Sequence, residues 1–181
     1  MTLILATREA ELVLLFAGQL ACEGCNFALK RVIREHRPGR FAGLGYGMPS
    51  SHAQYMFFLA VAGSLFLARR FAAPHSRRVR VLVLAGLWAA AGLTAWSRVY
   101  LGYHSVRQVV VGAAVGAVLA GVWFGSTAWA RAQGWLDRVL EWQLVRAVRV
   151  RDLAVAEQLD LAGWEKWERI SESRRVKGRR D

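Results

Sequence analysis

The sequence predicts an all-α fold, a polytopic transmembrane helical bundle of about four spans followed by an interfacial helix near the C-terminus. Of its 181 residues, 55% are hydrophobic, and the mean hydropathy is +0.23; both values are high for a soluble domain. The apolar residues also occur in blocks, and a block of about 20 apolar residues is long enough to cross a bilayer as a helix. Four such blocks stand out, at residues 12–29, 53–68, 81–96 and 109–130.

The first block is the most polar of the four. It contains Gln19, Glu23 and Asn26, and polar groups at membrane depth usually face a bundle interior or a functional cavity because exposing them to lipid is costly. Cys22 and Cys25 lie in the same block as a Cys-x-x-Cys pair, which could be redox-active or half of a zinc site. Neither a second ligand pair nor a βαβ context accompanies the pair, so we interpret both as ordinary helix cysteines.

The second and third blocks are short for spans unless neighbouring residues extend them. The linker between them carries five arginines and no acid, and the positive-inside rule therefore places it in the cytosol. These are Arg69, Arg70, Arg77, Arg78 and Arg80. The loops at residues 46–52 and 97–104 then face the opposite side, and both termini are cytosolic. A second basic cluster, at residues 30–40, falls on that opposite side, so either the topology is wrong or these cations bind an anion.

The fourth block is punctuated by glycines at GxxxG spacing, which lets helices approach closely. The two pairs are Gly112 with Gly116 and Gly121 with Gly125. Tryptophans in the last two blocks are candidates for anchors at the membrane interface. They are Trp88, Trp96, Trp123 and Trp129.

The chain divides into a transmembrane domain, residues 1–130, and a cytosolic segment, residues 131–181. Residues 135–150 read WLDRVLEWQLVRAVRV, which predicts a basic amphipathic helix lying on the membrane surface. A fifth, poor span is the alternative for the same residues. The final stretch, SESRRVKGRRD, is typical of a disordered basic tail.

The formal net charge of +12 suggests nucleic acid, acidic lipid or phosphate as a partner. Most basic residues lie between or beside apolar blocks, so nucleic acid is disfavoured and membrane lipid or a phosphate group is preferred. No cluster of histidine and aspartate has metal-ligand spacing, and we expect no metal or other cofactor.

Three polar clusters share the non-cytosolic face of the predicted bundle. They are Lys30 with Arg37 in LKRVIREHRPG, Ser50, Ser51 and His52 in YGMPSSHAQY, and Ser97 with Arg98 and His104 in SRVYLGYHSVRQ. Together they offer cations, hydroxyls and two histidines, which phosphoryl transfer through a covalent enzyme intermediate requires. Each residue alone has a plainer interpretation: the cations could snorkel to the interface, and Ser50 could be only a helix cap.

These three strings resemble the signature of the type 2 phosphatidic acid phosphatase superfamily, which also includes vanadium haloperoxidases and glucose-6-phosphatase. Similarity extends over about residues 23–125. The longer stretches around the motifs, EGCNFALKRVIREHRP, YGMPSSHAQYM and SRVYLGYHSVRQV, most resemble one branch of the superfamily, the dolichyl diphosphate phosphatases of the endoplasmic reticulum. The family core usually has more apolar helices before its first motif, whereas this chain has one.

The resemblance implies a role for each site residue. His104 would be the nucleophile that becomes phosphohistidine, and His52 the general acid that protonates the departing lipid phosphate. The expected phosphate-binding residues are Lys30, Arg37, Ser50, Ser51, Ser97 and Arg98. The family needs no metal.

Two positions depart from the pattern of the wider family, and the resemblance assigns both changes to the dolichyl branch. Ser51 stands where many members have glycine, and Gln108 stands where most have an aspartate four residues after the nucleophile. Gln108 can still accept a hydrogen bond from the His104 ring, but it cannot supply charge to a developing imidazolium. We expect glutamine to suffice because the leaving group of a diphosphate is another phosphate.

The sequence thus predicts a membrane phosphatase that hydrolyses dolichyl diphosphate at the lumenal face of the endoplasmic reticulum, recycling the lipid carrier for protein N-glycosylation. Another lipid phosphate, such as undecaprenyl diphosphate or phosphatidic acid, is the first alternative substrate. The second alternative is a non-enzymatic binder of anionic lipid whose arginines contact headgroups. Association into a homo-oligomer is one way in which a short bundle could be completed.

Overall fold

A computed structural model describes residues 2–39, 45–69, 77–152, 164 and 166–172. Its helices up to residue 152 are α1 (Thr2–Thr7), α2 (Ala10–Ile33), α3 (Ser51–Arg69), α4 (Arg77–Tyr100), α5 (Val106–Ala132), α6 (Trp135–Leu140) and α7 (Gln143–Ala147). Residues 166–172 are also helical. Within these ranges the chain forms no strand, and pairing of extended backbone is limited to two isolated bridges. The all-α prediction is confirmed.

Four helices, α2 to α5, are long and apolar enough to cross a membrane, and they contain the four apolar blocks. The short blocks are extended as a span requires: α3 begins at Ser51 and has 19 residues, and α4 begins at Arg77 and has 24. At 1.5 Å per residue, α3 is about 28 Å long, close to the thickness of a bilayer's hydrocarbon core. The predicted four-span bundle is confirmed.

At the centre of the bundle α3 packs against α5, and glycines of α5 let the two backbones approach closely. A Cβ atom added to Gly112 would lie 2.6 Å from the backbone oxygen of Ser50, and one added to Gly116 would overlap the backbone oxygen of Gln54. The second glycine pair does not serve this contact, since a Cβ atom on Gly121 would meet nothing within 4 Å. Only the first GxxxG pair packs helix against helix in the described structure.

Helix α2 closes the core on one side of α3. Cys22, Phe58, Ala62 and Ala120 form a buried apolar cluster, and Trp123 packs against it while its indole N–H donates to the backbone oxygen of Leu14 at 3.0 Å. Trp123 therefore packs against the core with part of its indole, and its role as an interface anchor stays a prediction. The exposed indoles of Trp96 and Trp129 remain compatible with that role.

Helix α4 lies at the edge of the bundle and packs mainly on α3. Large apolar side chains such as Leu82, Leu93 and Trp96 are exposed along it. Lipid tails solvate apolar side chains well, so an apolar outer surface is expected on a helix that spans the membrane.

The C-terminal segment differs from the single amphipathic helix predicted for residues 135–150. It forms two short helices, α6 and α7, separated at Trp142, whose backbone is extended. Beyond them the chain turns back, and Arg151 forms a bridge with Glu9. This return toward the start of α2 prevents one straight helix, and six- and five-residue helices also exclude a fifth span. The predicted disordered tail falls largely on residues 173–181, and most of the arginine-rich linker on 70–76, both outside the described residues.

Candidate active site

The three predicted motifs meet at one end of the bundle, the site end. The backbone N–H of Gly47 donates to the oxygen of Glu35 at 2.7 Å, which joins the loop after α2 to the loop before α3. The N–H of Ser50 donates to the oxygen of Gln108 at 3.1 Å, which joins the second loop to the start of α5. Residues far apart in the sequence therefore lie together at this end of the bundle.

His104 lies in the short loop between α4 and α5 and is 4% exposed. Its backbone N–H donates to the oxygen of Arg98 at 3.2 Å, which fixes the loop to the last turn of α4. Directly after it, Ser105 caps α5 in a capping box with Gln108. This reciprocal pair satisfies two otherwise unpaired N–H groups at the helix start, so His104 is held at a rigid junction.

The Gln108 side chain is buried behind His104 and fixes its ring. The amide nitrogen of Gln108 donates to Glu35 Oε1 at 3.0 Å and to the backbone oxygen of His36 at 2.8 Å. Because both partners are acceptors, the amide oxygen must point the other way, where it lies 3.2 Å from His104 Nδ1. Nδ1 then carries the hydrogen, and Nε2 of the neutral ring keeps its lone pair.

Burial lowers the pKa of His104 below its ordinary value, and the positive charges of Arg37 and Lys30 lower it further. Hydrogen bonds with Gln108 and with the backbone of Gly47 act in the opposite direction but do not reverse the shift. The ring is therefore neutral near pH 7, the state that a nucleophilic nitrogen requires.

His52 is the second residue of α3, and its side chain is exposed. With Ser51 it lines an open cavity of about 500 Å³, whose wall also includes Glu23 and Thr94. His52 interacts electrostatically with the same two cations, Lys30 and Arg37, as His104, and also with Arg98 and Glu23. The two histidines thus share one positively charged environment.

The predicted phosphate-binding side chains include two buried donors without a hydrogen-bond partner among the described residues. They are the Nε atom of Arg37 and the hydroxyl of Ser50. An unsatisfied buried donor costs about 1–3 kcal/mol, a cost that an acceptor bound beside Arg37 or Ser50 would remove. The Ser50 hydroxyl does not cap α3, and the capping interpretation of this side chain is wrong.

Ser97 and Arg98 lie in the last turn of α4. Arg98 Nε is 3.3 Å from the Ser97 hydroxyl, which in turn donates to the backbone oxygen of Thr94 at 2.8 Å. Ser97 in this arrangement orients the guanidinium of Arg98. Direct binding of phosphate by Ser97 stays a prediction.

Several residues that complete the site were not identified from the sequence. Asn26 donates to the oxygen of Pro49 at 3.3 Å and to Gln54 Oε1 at 2.7 Å, while Gln54 donates to the backbone oxygen of Cys22 at 2.8 Å. This network ties α2 to the start of α3. Asn26 was visible as a polar residue within an apolar block, and Glu35 as the single acid of the basic cluster at residues 30–40, but nothing in the sequence distinguished Gln54.

Both cysteines of α2 are free thiols, and Cys22 Sγ accepts a hydrogen bond from Gln54. In the part of the chain that the structure describes, no three histidine, cysteine, aspartate or glutamate side chains are grouped so that they could hold a metal ion.

The profile of the PAP2 superfamily matches residues 11–132, which extend from α2 to the end of α5. The chain is 41% identical to a Neurospora crassa protein named "Putative dolichyldiphosphatase", over 96% of this chain and 82% of that protein. It is 39% identical to Dictyostelium discoideum Dolichyldiphosphatase 1 and 40% identical to Homo sapiens Dolichyldiphosphatase 1, in each case over 68% of this chain and 56% of the relative.

The chain thus spans little more than half the length of the last two relatives. No solved structure matches it. The profile match covers all four spans and every predicted site residue, and the chain belongs to the PAP2 superfamily, the type 2 phosphatidic acid phosphatases.

Proposed function

We propose that this chain is an integral membrane phosphatase that hydrolyses dolichyl diphosphate to dolichyl phosphate and inorganic phosphate. The observation that carries the proposal is the His104 ring, which Gln108 holds with Nε2 free to attack beside the positive charges of Lys30 and Arg37. The substrate is proposed from the names of the relatives, three of which are given above.

In the first step, His104 Nε2 attacks the terminal phosphorus of the diphosphate. The N–P bond forms while the bond from that phosphorus to the bridging oxygen breaks. His52 gives its proton to the bridging oxygen, which leaves as part of dolichyl phosphate. Gln108 accepts the Nδ1–H bond throughout, so the ring keeps its orientation while positive charge develops on it.

In the second step, water attacks the phosphorus of phosphohistidine. His52, now neutral, takes a proton from that water, the N–P bond breaks, and inorganic phosphate is released. Both steps place negative charge on the equatorial phosphoryl oxygens. The positive charge that stabilises it comes from Lys30, Arg37 and Arg98. Each planar guanidinium can bind two phosphoryl oxygens at once.

The proposed location is the endoplasmic reticulum membrane, with the site in the lumen and both termini in the cytosol. Supporting this arrangement, the loops of the site lie at one end of the bundle, while the start of α2 and residue Arg151 meet at the other. The physiological role that follows is recycling of the lipid carrier for protein N-glycosylation. A reporter fused to each terminus, tested for accessibility in sealed microsomes, checks the orientation.

The central experiment measures phosphate release from dolichyl diphosphate by the purified full chain in lipid vesicles. We expect turnover that persists in a chelator and that His104→Ala abolishes while the protein still inserts and elutes as a folded species. We expect Gln108→Ala to lose much of the activity because the ring is no longer oriented. Full activity of Gln108→Ala would contradict the orienting role, and loss of wild-type turnover in chelator would contradict the metal-free mechanism.

A matched pair of cations on α2 provides the control. Lys30 acts on both histidines, whereas the adjacent Arg31 is exposed and its guanidinium lies over the ring of Phe27 at 3.6 Å. Lys30→Ala is expected to lose most activity and Arg31→Ala to keep it. Undecaprenyl diphosphate and phosphatidic acid, assayed in parallel, test the substrate. A chain that bound anionic vesicles but turned over none of these lipids would be a binder, as the second alternative states.

A further inference from the structure

We infer that Glu35 is a positioning residue for the nucleophile and supplies, through Gln108, the negative charge that the amide itself lacks. This inference rests on the proposed function, since it assigns Glu35 a part in the attack by His104. The sequence shows Glu35 only as the single acid in a basic run, 73 positions from Gln108. The fold brings the two side chains together.

The geometry is a continuous relay of two hydrogen bonds. His104 Nδ1 is 3.2 Å from Gln108 Oε1, and Gln108 Nε2 is 3.0 Å from Glu35 Oε1. The three side chains therefore form a line that runs from imidazole through amide to carboxylate. Hydrogen bonds arranged in series polarise one another, most strongly where water is excluded. Gln108 is 1% exposed, so its amide is in such an environment.

A nearby charge matters because the ring becomes cationic when Nε2 forms a bond to phosphorus. A carboxylate bound to the amide N–H₂ group draws positive charge toward itself and leaves the amide oxygen more negative. That oxygen then stabilises the ring more than an isolated amide would. In this way Gln108 transmits the charge of Glu35, and a neutral residue beside the nucleophile does not leave the site without a counter-charge.

The surroundings hold the relay in place. The backbone oxygen of Glu35 accepts the N–H of Gly47 at 2.7 Å, and a Cβ atom on Gly47 would lie 2.8 Å from the amide oxygen of Gln108. Only glycine leaves room for the amide at this position. The carboxylate is weakly compensated on its outer side, since Arg107 Nη2 is 4.0 Å from Glu35 Oε2 and the Arg107 side chain is 76% exposed.

The competing explanation is structural: Glu35 could simply hold Gln108 and the loop after α2. The substitution Glu35→Gln separates the two explanations, because its amide oxygen can still accept the bond from Gln108 while the charge is gone. The backbone oxygen of His36, 2.8 Å from Gln108 Nε2, also continues to orient the amide. A structural role predicts little change in this variant.

The first measurement is independent of turnover. In ¹⁵N-histidine-labelled protein in micelles, the His104 ring is titrated, with its signal assigned by loss in His104→Gln. Glu35→Gln should shift the pKa of His104 downward, because the cationic ring loses a stabilising charge, and Arg107→Gln should shift it slightly upward. The other charges acting on the ring, Lys30 and Arg37, are unchanged in both variants. Glu141→Gln, an exposed glutamate outside the site, is the control and should leave the titration unaltered.

The second measurement is kinetic. Glu35→Gln should lower kcat for dolichyl diphosphate roughly 10- to 100-fold with KM within about twofold, which corresponds to about 1.4–2.7 kcal/mol of transition-state stabilisation. Adding Gln108→Asp to Glu35→Gln moves the charge next to the ring and should recover most of kcat. If Glu35→Gln lost activity only because the loop after α2 was disturbed, the double variant would stay as defective as the single one.

The outcomes separate the relay from the proposed activity. If the wild-type chain did not hydrolyse the lipid but Glu35→Gln still shifted the His104 titration, the activity would be wrong and the relay would stand as electrostatic coupling. An unchanged titration overturns the relay whatever the activity. A shifted titration with unchanged kcat overturns the claim that the charge assists the attack.

Discussion

The two ends of the assembly formed by α2, α3 and α5 are held together by different interactions. At the site end, the backbones of α3 and α5 touch at Gly112 and Gly116, and neutral amides make the links between helices. At the opposite end, which we call the far end, an added Cβ atom on Gly121 or Gly125 would meet nothing within 4 Å. Ion pairs link the elements there. Arg131 pairs there with Glu11 and Asp152, and Arg151 pairs with Glu9.

This difference has a physical reason. Neutral amides can be buried in helix contacts without the large desolvation cost of ions, and their direction-dependent bonds fix the helices relative to one another. The site end must place His104, His52 and the cations within fractions of an ångström, so it needs such links. The far end only needs to stay closed, and ion pairs near the aqueous phase suffice for that.

The largest expected effect comes from filling the backbone contact at the site end. Gly116→Ala places a methyl group onto the backbone oxygen of Gln54, which cannot move as a flexible side chain would. Overpacking costs about 1–3 kcal/mol or more, and here it separates α3, which begins at Ser51, from α5, which carries Gln108. We expect loss of nearly all lipid phosphatase activity and a clearly lower unfolding temperature in detergent.

The matched control is Gly121→Ala on the same helix, where the added methyl group meets nothing within 4 Å. It should keep both activity and stability. Equal damage from the two substitutions would show that the far half of α5 makes contacts as close as those at the site end.

The next effect tests the amide links. Gln54→Leu removes the donor to the oxygen of Cys22 and the acceptor for Asn26, leaving both groups without that bond. Each unsatisfied buried group costs about 1–3 kcal/mol, although Asn26 keeps its bond to Pro49. We expect a lower unfolding temperature and roughly tenfold lower kcat, since the loop before α3 loses its support. Unchanged thermal unfolding and activity would mean that the network is incidental.

These two regions also differ in how far the sequence could predict them. Hydropathy is a property of single segments, and it predicted the four spans. The arginines of the linker then predicted that the motif loops lie on the same side of the membrane. The relay from Glu35 to His104 depends on how loops pack across 73 positions, which no local pattern contains. The two GxxxG pairs are identical in spacing, and only the crossing point of α3 on α5 decides that Gly116 is packed and Gly121 is open.

The C-terminal segment is a second region whose structure the local sequence pattern did not predict. Its amphipathic pattern predicted one helix, but the chain returns to pair Arg151 with Glu9 and Asp152 with Arg131, and two short helices form instead. Arg151 and Glu9 are 142 positions apart and Asp152 and Arg131 are 21 apart, so these pairings lie outside the local pattern from which the single helix was predicted. The division at residues 130 and 131 stays a prediction.

A smaller effect concerns pH and acts only at the site end. Burial and the neighbouring cations lower the pKa of His104, and only the neutral ring can attack. The rising limb of kcat/KM against pH should therefore have its midpoint below the ordinary histidine value of about 6.5, with activity falling about tenfold per pH unit below that midpoint. A midpoint at or above pH 7 in the wild-type protein would contradict a buried neutral nucleophile.

The smallest effect is expected at the far end. Asp152→Asn removes one partner of Arg131, but Glu11 still pairs with that guanidinium, so the charge is not left uncompensated. The Arg131 and Asp152 side chains are only 24% and 16% exposed, but because Glu11 keeps the guanidinium paired we expect a loss of about 1 kcal/mol. High salt should reduce that difference only slightly, since a partly buried pair is poorly screened. Activity should remain within twofold of wild type, measured on dolichyl diphosphate at low and high salt. A tenfold loss of activity would mean that a change at the far end alters the position of His104 through α5, so that the two ends are structurally coupled.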